Sequence, residues 1–139
     1  MTKILLVEDS KFLRLATERA LAHAGYTVKS AADGELALQM ASEMMPDLIL
    51  LDMMLPKISG PDVLKALKKN PATAPIPVVV CTGLSQKNAE RLQEDGAFAF
   101  LEKSDLGLDS GSESLLRRVA EIVKRLPRAA VAQPASASK

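Results

Sequence analysis

The chain is short of the residues that several common functions require. It has one cysteine, Cys81, which rules out an intrachain disulfide framework and makes a reducing compartment the natural expectation. Cys81 itself reads as a buried core residue. There is no tryptophan, one tyrosine and three phenylalanines, too few rings for a surface that stacks single-stranded bases. The one histidine, His23, falls in a helical pattern and reads as a helix-surface residue, not a ligand. Charge is almost balanced, with 18 Lys+Arg against 17 Asp+Glu and a formal net of +1, so the whole chain is no strong polyanion binder. No apolar stretch approaches the ~20 residues that a membrane span needs. The opening Met1-Thr2-Lys3 runs into only four apolar residues before Glu8-Asp9, too few for a signal peptide. Neither a G-x-G-x-x-G nor a Walker loop is present, which disfavours a nucleotide-binding reading. A cytoplasmic protein without membrane contact is the expectation.

What is present has a clear rhythm. The 139 residues suit one domain, and 47% apolar with 25% charged is ordinary for a globular chain. Short apolar runs at 4–7, 27–31, 48–51, 76–81 and 97–101, each bounded by charge, Gly or Pro, predict buried strands. Amphipathic stretches lie between them. Leu13, Ala16, Thr17, Ala20, Leu21 and Ala24 form one helical face, with Arg14, Glu18 and Arg19 opposite, Ser10 as N-cap and Gly25 as the stop. Further helices are predicted at about 34–44, at 60–69 with Pro61 in the first turn, at 86–95, and at 113–126. The last would bury Leu116, Val119, Val123 and Leu126. Five strand–helix repeats predict an α/β fold: a doubly wound five-stranded parallel sheet, flavodoxin-like order 2-1-3-4-5, with helices on both faces. Residues 1–127 would form the domain. Residues 128–139, rich in Ala, Ser, Pro and Gln, read as a disordered tail or linker remnant.

In such a sheet, ligands sit at the carboxyl ends of the central strands. The unusual residues follow those strands: Glu8 and Asp9 the first, Asp52 the third, Thr82 the fourth and Lys103 the fifth. Three carboxylates, a hydroxyl and an ammonium would meet there. Two unit charges ~4 Å apart repel by ~4 kcal/mol at an effective dielectric of ~20. The acids must therefore bind protons or a divalent cation, and an all-oxygen site open to water suits Mg2+. With metal present, Asp52 could stay ionised and attack a phosphoryl group, while Lys103, Thr82 and nearby backbone N–H groups neutralise its oxygens. Singly, each residue has a plainer reading: Glu8-Asp9 as helix-capping acids, Asp52 and Thr82-Gly83 as turn residues, Lys103 as a solvated lysine. Their placement on one predicted edge favours the joint reading.

The motifs Leu5-Leu6-Val7-Glu8-Asp9-Ser10, Asp47-Leu48-Ile49-Leu50-Leu51-Asp52-Met53-Met54-Leu55-Pro56, Cys81-Thr82-Gly83 and Phe98-Ala99-Phe100-Leu101-Glu102-Lys103 together resemble the receiver domains of two-component response regulators, single-domain chemotaxis regulators among them. The resemblance covers residues 3–126. It implies that Asp52 accepts a phosphoryl group from a sensor histidine kinase, a histidine phosphotransfer protein or a small phosphodonor. It implies Mg2+ held by Glu8, Asp9, Asp52 and the Met54 backbone carbonyl. Thr82, Gly83 and Lys103 would bind the phosphoryl group, and Phe100 would be the aromatic switch residue. Output would pass to a downstream protein target through the face of the fourth helix, fifth strand and fifth helix, a face that also leaves room for a homodimer. Direct DNA binding and turnover of external substrates are not expected.

Three features depart from the family pattern. Ser104 stands where a proline usually follows the lysine, and a cis bond to a non-proline costs ~2.5–4 kcal/mol. The segment 104–112 is longer than usual. Met54 and Leu84, two residues beyond Asp52 and Thr82, would flank the hydrolytic water with apolar groups, which suggests a long-lived acyl phosphate. The Lys103-Ser104 junction keeps open an alternative, a receiver-like interaction module that works without phosphorylation. An aspartate-nucleophile phosphohydrolase would need an acid where Met54 stands, two residues after Asp52. Arg117-Arg118 and Lys124-Arg125 read as a solvated helix face, with a basic docking patch as the other option.

Overall fold

The architecture follows from central strands that are buried on both faces, while the edge strand β2 (Thr27–Ala31), expected to be buried, alternates between exposed and half-buried positions until Ala31. In a computed structural model of the chain, the residues described are 2–52, 55, 58–82, 94, 96–102 and 113–126. Strand β1 (Lys3–Val7) is buried from its second residue onward, and β3 (Leu48–Asp52) is buried throughout. Strands with no polar face must be covered on both sides, which is the condition of a parallel sheet between helical layers. With β2 (Thr27–Ala31), β4 (Val78–Thr82) and β5 (Ala99–Glu102), they form one sheet in the order β2-β1-β3-β4-β5, every pair parallel. This is the expected doubly wound order.

Two apolar clusters cover the two faces. On one, helices α2 (Gly34–Met44) and α3 (Gly60–Lys69) bring Ala37, Ala41, Val63 and Leu67 onto Leu5, Ile49, Leu51 and Val80. On the other, α1 (Lys11–His23) and the C-terminal helix α4 (Glu113–Lys124) bring Leu21, Val119 and Ile122 onto Ile4, Leu6, Leu50 and Val79. Of the fourth predicted helix only Glu94 is described, and it is helical. The predicted tail lies outside the described residues. Among the described residues no helix is long and apolar enough to cross a membrane.

Helix starts are set by side-chain caps. Ser10 Oγ accepts the Leu13 N–H at 3.3 Å, Asp33 Oδ1 the Leu36 N–H at 2.8 Å, and Ser59 Oγ the Asp62 N–H at 3.3 Å. Gly25, at φ +105°, follows the α1 C-cap Ala24 in the left-handed region that favours glycine.

Several expectations shift. The fourth ladder begins at Val78, not at 76, because Pro77 has no N–H to give; its carbonyl instead accepts from Ile49 at 3.0 Å. The fifth begins at Ala99, two residues late. Ala24 is exposed, since it caps α1 rather than extending its buried face. The last helix stops at Lys124, and Ile122 joins Val119 as a buried contact that the spacing analysis left out.

Two features generate predictions. A Cβ on Gly34 would stand 2.5 Å from Val63 Cγ2 and 2.9 Å from the Ile58 carbonyl oxygen, so α2 approaches α3 and the segment after β3 too closely for any side chain. Alanine normally stabilises a helix by about 0.5–1 kcal/mol over glycine. Here the collision reverses the sign, and Gly34→Ala is expected to cost about 1–3 kcal/mol in urea unfolding. Lys68 donates to the Ala74 and Ile76 carbonyls at 3.0 and 2.8 Å, and burial lowers its ammonium below the ordinary 10.5. The folded state therefore releases this proton before the unfolded state does. Lys68→Met is expected to cost about 1–3 kcal/mol by stranding two carbonyls. The wild type's advantage should widen as pH rises toward 10.5 and then level off, which paired denaturation curves at several pH values would show.

Candidate metal and phosphoacceptor site

The site is a consequence of register. Val7 of β1 pairs with Leu51 of β3, so the next residues, Glu8 and Asp52, leave the sheet side by side. Asp9 follows at once. The three residues offer carboxylate oxygens that all lie within 4.8 Å of one another. Glu8 is 3% exposed and Asp52 1%, while Asp9 faces solvent. The cluster thus has a closed floor and one open side.

Local bonds hold the turn that carries the acids. The Glu8 N–H donates to the Ala31 carbonyl at 3.0 Å, which ties the end of β1 to the end of β2. Glu8 Oε2 accepts the Ser10 N–H at 3.1 Å, at the N-terminus of α1, where the helix dipole favours negative charge. The Glu8 carbonyl accepts from Arg14 Nη1 at 3.0 Å. Arg14 was expected on the solvent side of α1. It is half-buried instead, because α1 starts at the site and its first full turn lies over the Glu8-Asp9 turn. The signal that could have revealed it is the six-residue step from Glu8, which puts a long cationic side chain one turn into the helix that follows two acids.

The donor chemistry fits a hard cation. All three groups are carboxylates, with no thiolate or imidazole in the set, and one side is open to water. Such sites suit Mg2+, which keeps several waters and takes one or two carboxylates, often with a phosphate oxygen. Glu8, Asp9 and Asp52 are the residues that could hold it.

A family model for the response regulator receiver domain matches residues 4–107. The chain belongs to this family. A protein-glutamate methylesterase/protein-glutamine glutaminase of Anaeromyxobacter dehalogenans is 35% identical over 130 residues, 91% of this chain and 36% of that protein. The chain spans about half or less of the length of the curated relatives it matches. A response regulator of Desulfuromonas acetoxidans superposes with a TM-score of 0.77 at 29% identity, covering 91% of this chain and 100% of that one. The receiver domain of a sensor histidine kinase of Pseudomonas aeruginosa matches with a TM-score of 0.68 at 29% identity over 73% of this chain and 84% of that one; its structure is described with a magnesium ion coordinated in the active site cleft.

Within this receiver domain, the sheet brings Glu8, Asp9 and Asp52 together. Cys81 pairs with Asp52 in register and is buried, as expected of a core cysteine. Thr82 ends β4 one residue further on, opposite Glu102 at the end of β5. Phe100 is half-buried in β5 and packs against the α2–α3 face of the core. Met54, Gly83 and Lys103, with Leu84 and Ser104, lie outside the described residues.

Crowding of the three acids should cost stability when no divalent cation is present. In EDTA, Asp52→Asn is expected to raise unfolding stability by about 1–3 kcal/mol, and millimolar Mg2+ should erase the difference by stabilising the wild type. A lower denaturation midpoint for the variant in EDTA would contradict the crowding.

Proposed function

We propose that the chain is a phosphorylation-activated switch that accepts a phosphoryl group on Asp52 with Mg2+ beside it. The observation that carries this reading is the carboxylate cluster: a buried Asp52 within 4.8 Å of Glu8 and solvent-facing Asp9, at the carboxyl edge of the sheet. Membership of the receiver family supports it.

In this reading an Asp52 carboxylate oxygen attacks phosphorus, the bond from phosphorus to the donor's nitrogen or oxygen breaks, and the leaving group keeps that electron pair. The product is an acyl phosphate. Mg2+, when bound by Glu8, Asp9, Asp52 and the Met54 carbonyl, neutralises charge on the phosphoryl oxygens. Glu8 and Arg14 keep the acidic turn in place, and burial of Asp52 limits water near the acyl bond. Thr82, Gly83 and Lys103 are proposed to contact the phosphoryl oxygens, and Phe100 to report the change. The phosphodonor is a sensor histidine kinase or a histidine phosphotransfer protein. The signal leaves through the face of the fourth predicted helix, β5 and α4 to a protein target. The chain is proposed to work in the cytoplasm as a phosphoacceptor, not a turnover enzyme, with residues 1–127 as its domain.

The test is intact-protein mass after incubation with a small phosphodonor. A Mg2+-dependent gain of one phosphoryl group, absent in Asp52→Asn, is the expected result. No gain under any condition would replace this reading with the phosphorylation-independent module.

A further inference from the structure

The acidic cluster concentrates like charge at the edge of an apolar core, and the fold sets one cation against it. Glu8, Asp9 and Asp52 hold three carboxylates with oxygens within 4.8 Å of one another. Glu8 and Asp52 are buried, so water screens little of their repulsion. Arg14 is half-buried beside them. Its Nη1 donates to the Glu8 carbonyl at 3.0 Å, which seats the guanidinium against the residue that supplies one of the acids.

The form of that contact decides what the arginine can do. The bond goes to the main chain, not to a carboxylate. Glu8 Oε2 takes the Ser10 N–H at 3.1 Å, which fixes the side chain without bringing a full charge to it. Arg14 therefore adds positive potential to the site without using up a carboxylate oxygen as its partner. An arginine keeps its charge at any pH a protein meets. This one is also anchored by its backbone: the Arg14 N–H donates to the Ser10 carbonyl at 2.8 Å, and Ser10 caps the same turn through the Leu13 N–H. Lys11 and Arg19, the other cationic side chains of α1, are exposed, where water and salt screen them.

A fixed cation beside an acidic cluster has two opposite effects. Without metal, it offsets the repulsion among the acids and stabilises the fold. With metal, it repels Mg2+ and weakens binding. The three carboxylates and the guanidinium together carry a net charge of −2, which a single Mg2+ cancels.

We propose that Arg14 is a built-in counter-charge of the acidic site, which stabilises the metal-free fold and lowers the affinity for Mg2+. This role rests on the reading of Glu8, Asp9 and Asp52 as Mg2+ ligands, and it adds a regulation of that site. A phosphoryl group brings about −1.5 to −2 charges, so Mg2+ and phosphoryl together are close to neutral and escape the repulsion. Arg14 thus favours the arrival of metal and phosphoryl as a pair over the arrival of metal alone.

The test is Mg2+ titration calorimetry on the full chain at low salt, paired with urea unfolding in EDTA, with no phosphodonor present. Arg14→Gln should bind Mg2+ about threefold to tenfold tighter while its unfolding midpoint in EDTA falls. A merely structural arginine would give another pattern, with stability and affinity lost together. Arg14→Lys keeps the charge and should stay within about twofold of the wild-type affinity, as should the exposed control Arg19→Gln. The gain in Arg14→Gln should shrink as salt rises. Arg14→Met removes the same charge and keeps an apolar stem, and it takes the place of Arg14→Gln if that variant does not fold. Equal or weaker Mg2+ binding once the charge is removed, or an equal gain in Arg19→Gln, would overturn the proposal. Intact mass after phosphodonor treatment separates the two readings: phosphate uptake on Asp52 with a Mg2+ affinity that ignores Arg14 removes the counter-charge alone, and no Mg2+ binding by any form removes both.

Discussion

Parallel register between β1 and β3 is the constraint on which the site depends. Pairing Val7 with Leu51 leaves Glu8 and Asp52 emerging together from the sheet. A slip of one residue would turn every strand side chain to the opposite face. It would also separate the acids. The register is held by packing on both faces, since Leu5 and Leu51 lie in one core cluster and Leu6 and Leu50 in the other. The sheet therefore holds together three carboxylates that would otherwise move apart, and the cost of that crowding is offset by apolar burial elsewhere. The acidic cluster is an edge feature of a well-packed scaffold, and the register that pairs the strands also sets the closeness of its carboxylates.

Burial on both faces also explains why polar chemistry is confined to the strand ends. Between Leu48 and Leu51 no position on β3 faces water, so the first place for a functional side chain is Asp52. The connection into α1 works the same way. Ser10 caps the helix, Glu8 accepts the Ser10 N–H, and Arg14 reaches back from the first full turn to the Glu8 carbonyl. A single turn thus serves as helix start, acid carrier and charge partner, and the N-terminal dipole of α1 favours the acids that the cluster repels.

The apolar runs and their flanking caps made the fold legible in the sequence, because each strand is short, continuous and bounded by charge, glycine or proline. Gly34–Met44 and Gly60–Lys69 fall where the cap and breaker residues predict them. The candidate site was legible for a related reason: Glu8, Asp9 and Asp52 interrupt apolar runs at positions where only the strand order was needed to bring them together. What was not legible depends on side-chain reach. Arg14 looked solvent-directed because periodicity assigns a face to a Cα, not to a long guanidinium. The arginines of α4 and of the residues just after it likewise read as a solvated face, and only the position of β5 shows that Arg118 donates to the Phe100 carbonyl and that Arg125 lies over the Phe98 ring.

A link between Asp52 and the β5–α4 face would have to be mechanical. Asp52 and β5 are separated by β4, so the distance is two strand spacings, ~10 Å. A phosphoryl group adds about −1.5 to −2 charges. Acting through water on exposed arginines at that range, Coulomb energy is below ~1 kcal/mol per arginine, and a Debye length of ~8 Å reduces it further. Moving a two-state equilibrium from 1:99 to 99:1 needs about 5.5 kcal/mol. Field alone is too weak by severalfold. Differential packing between two arrangements can supply the rest, and Phe100 is placed for it: half-buried, in contact with the core on the α2–α3 face, and bonded through its carbonyl to Arg118. A change in how that ring packs on the α2–α3 face would be carried to Arg118 through the Phe100 carbonyl while the strand stays paired to β4, which allows the sheet to remain rigid as the surface changes.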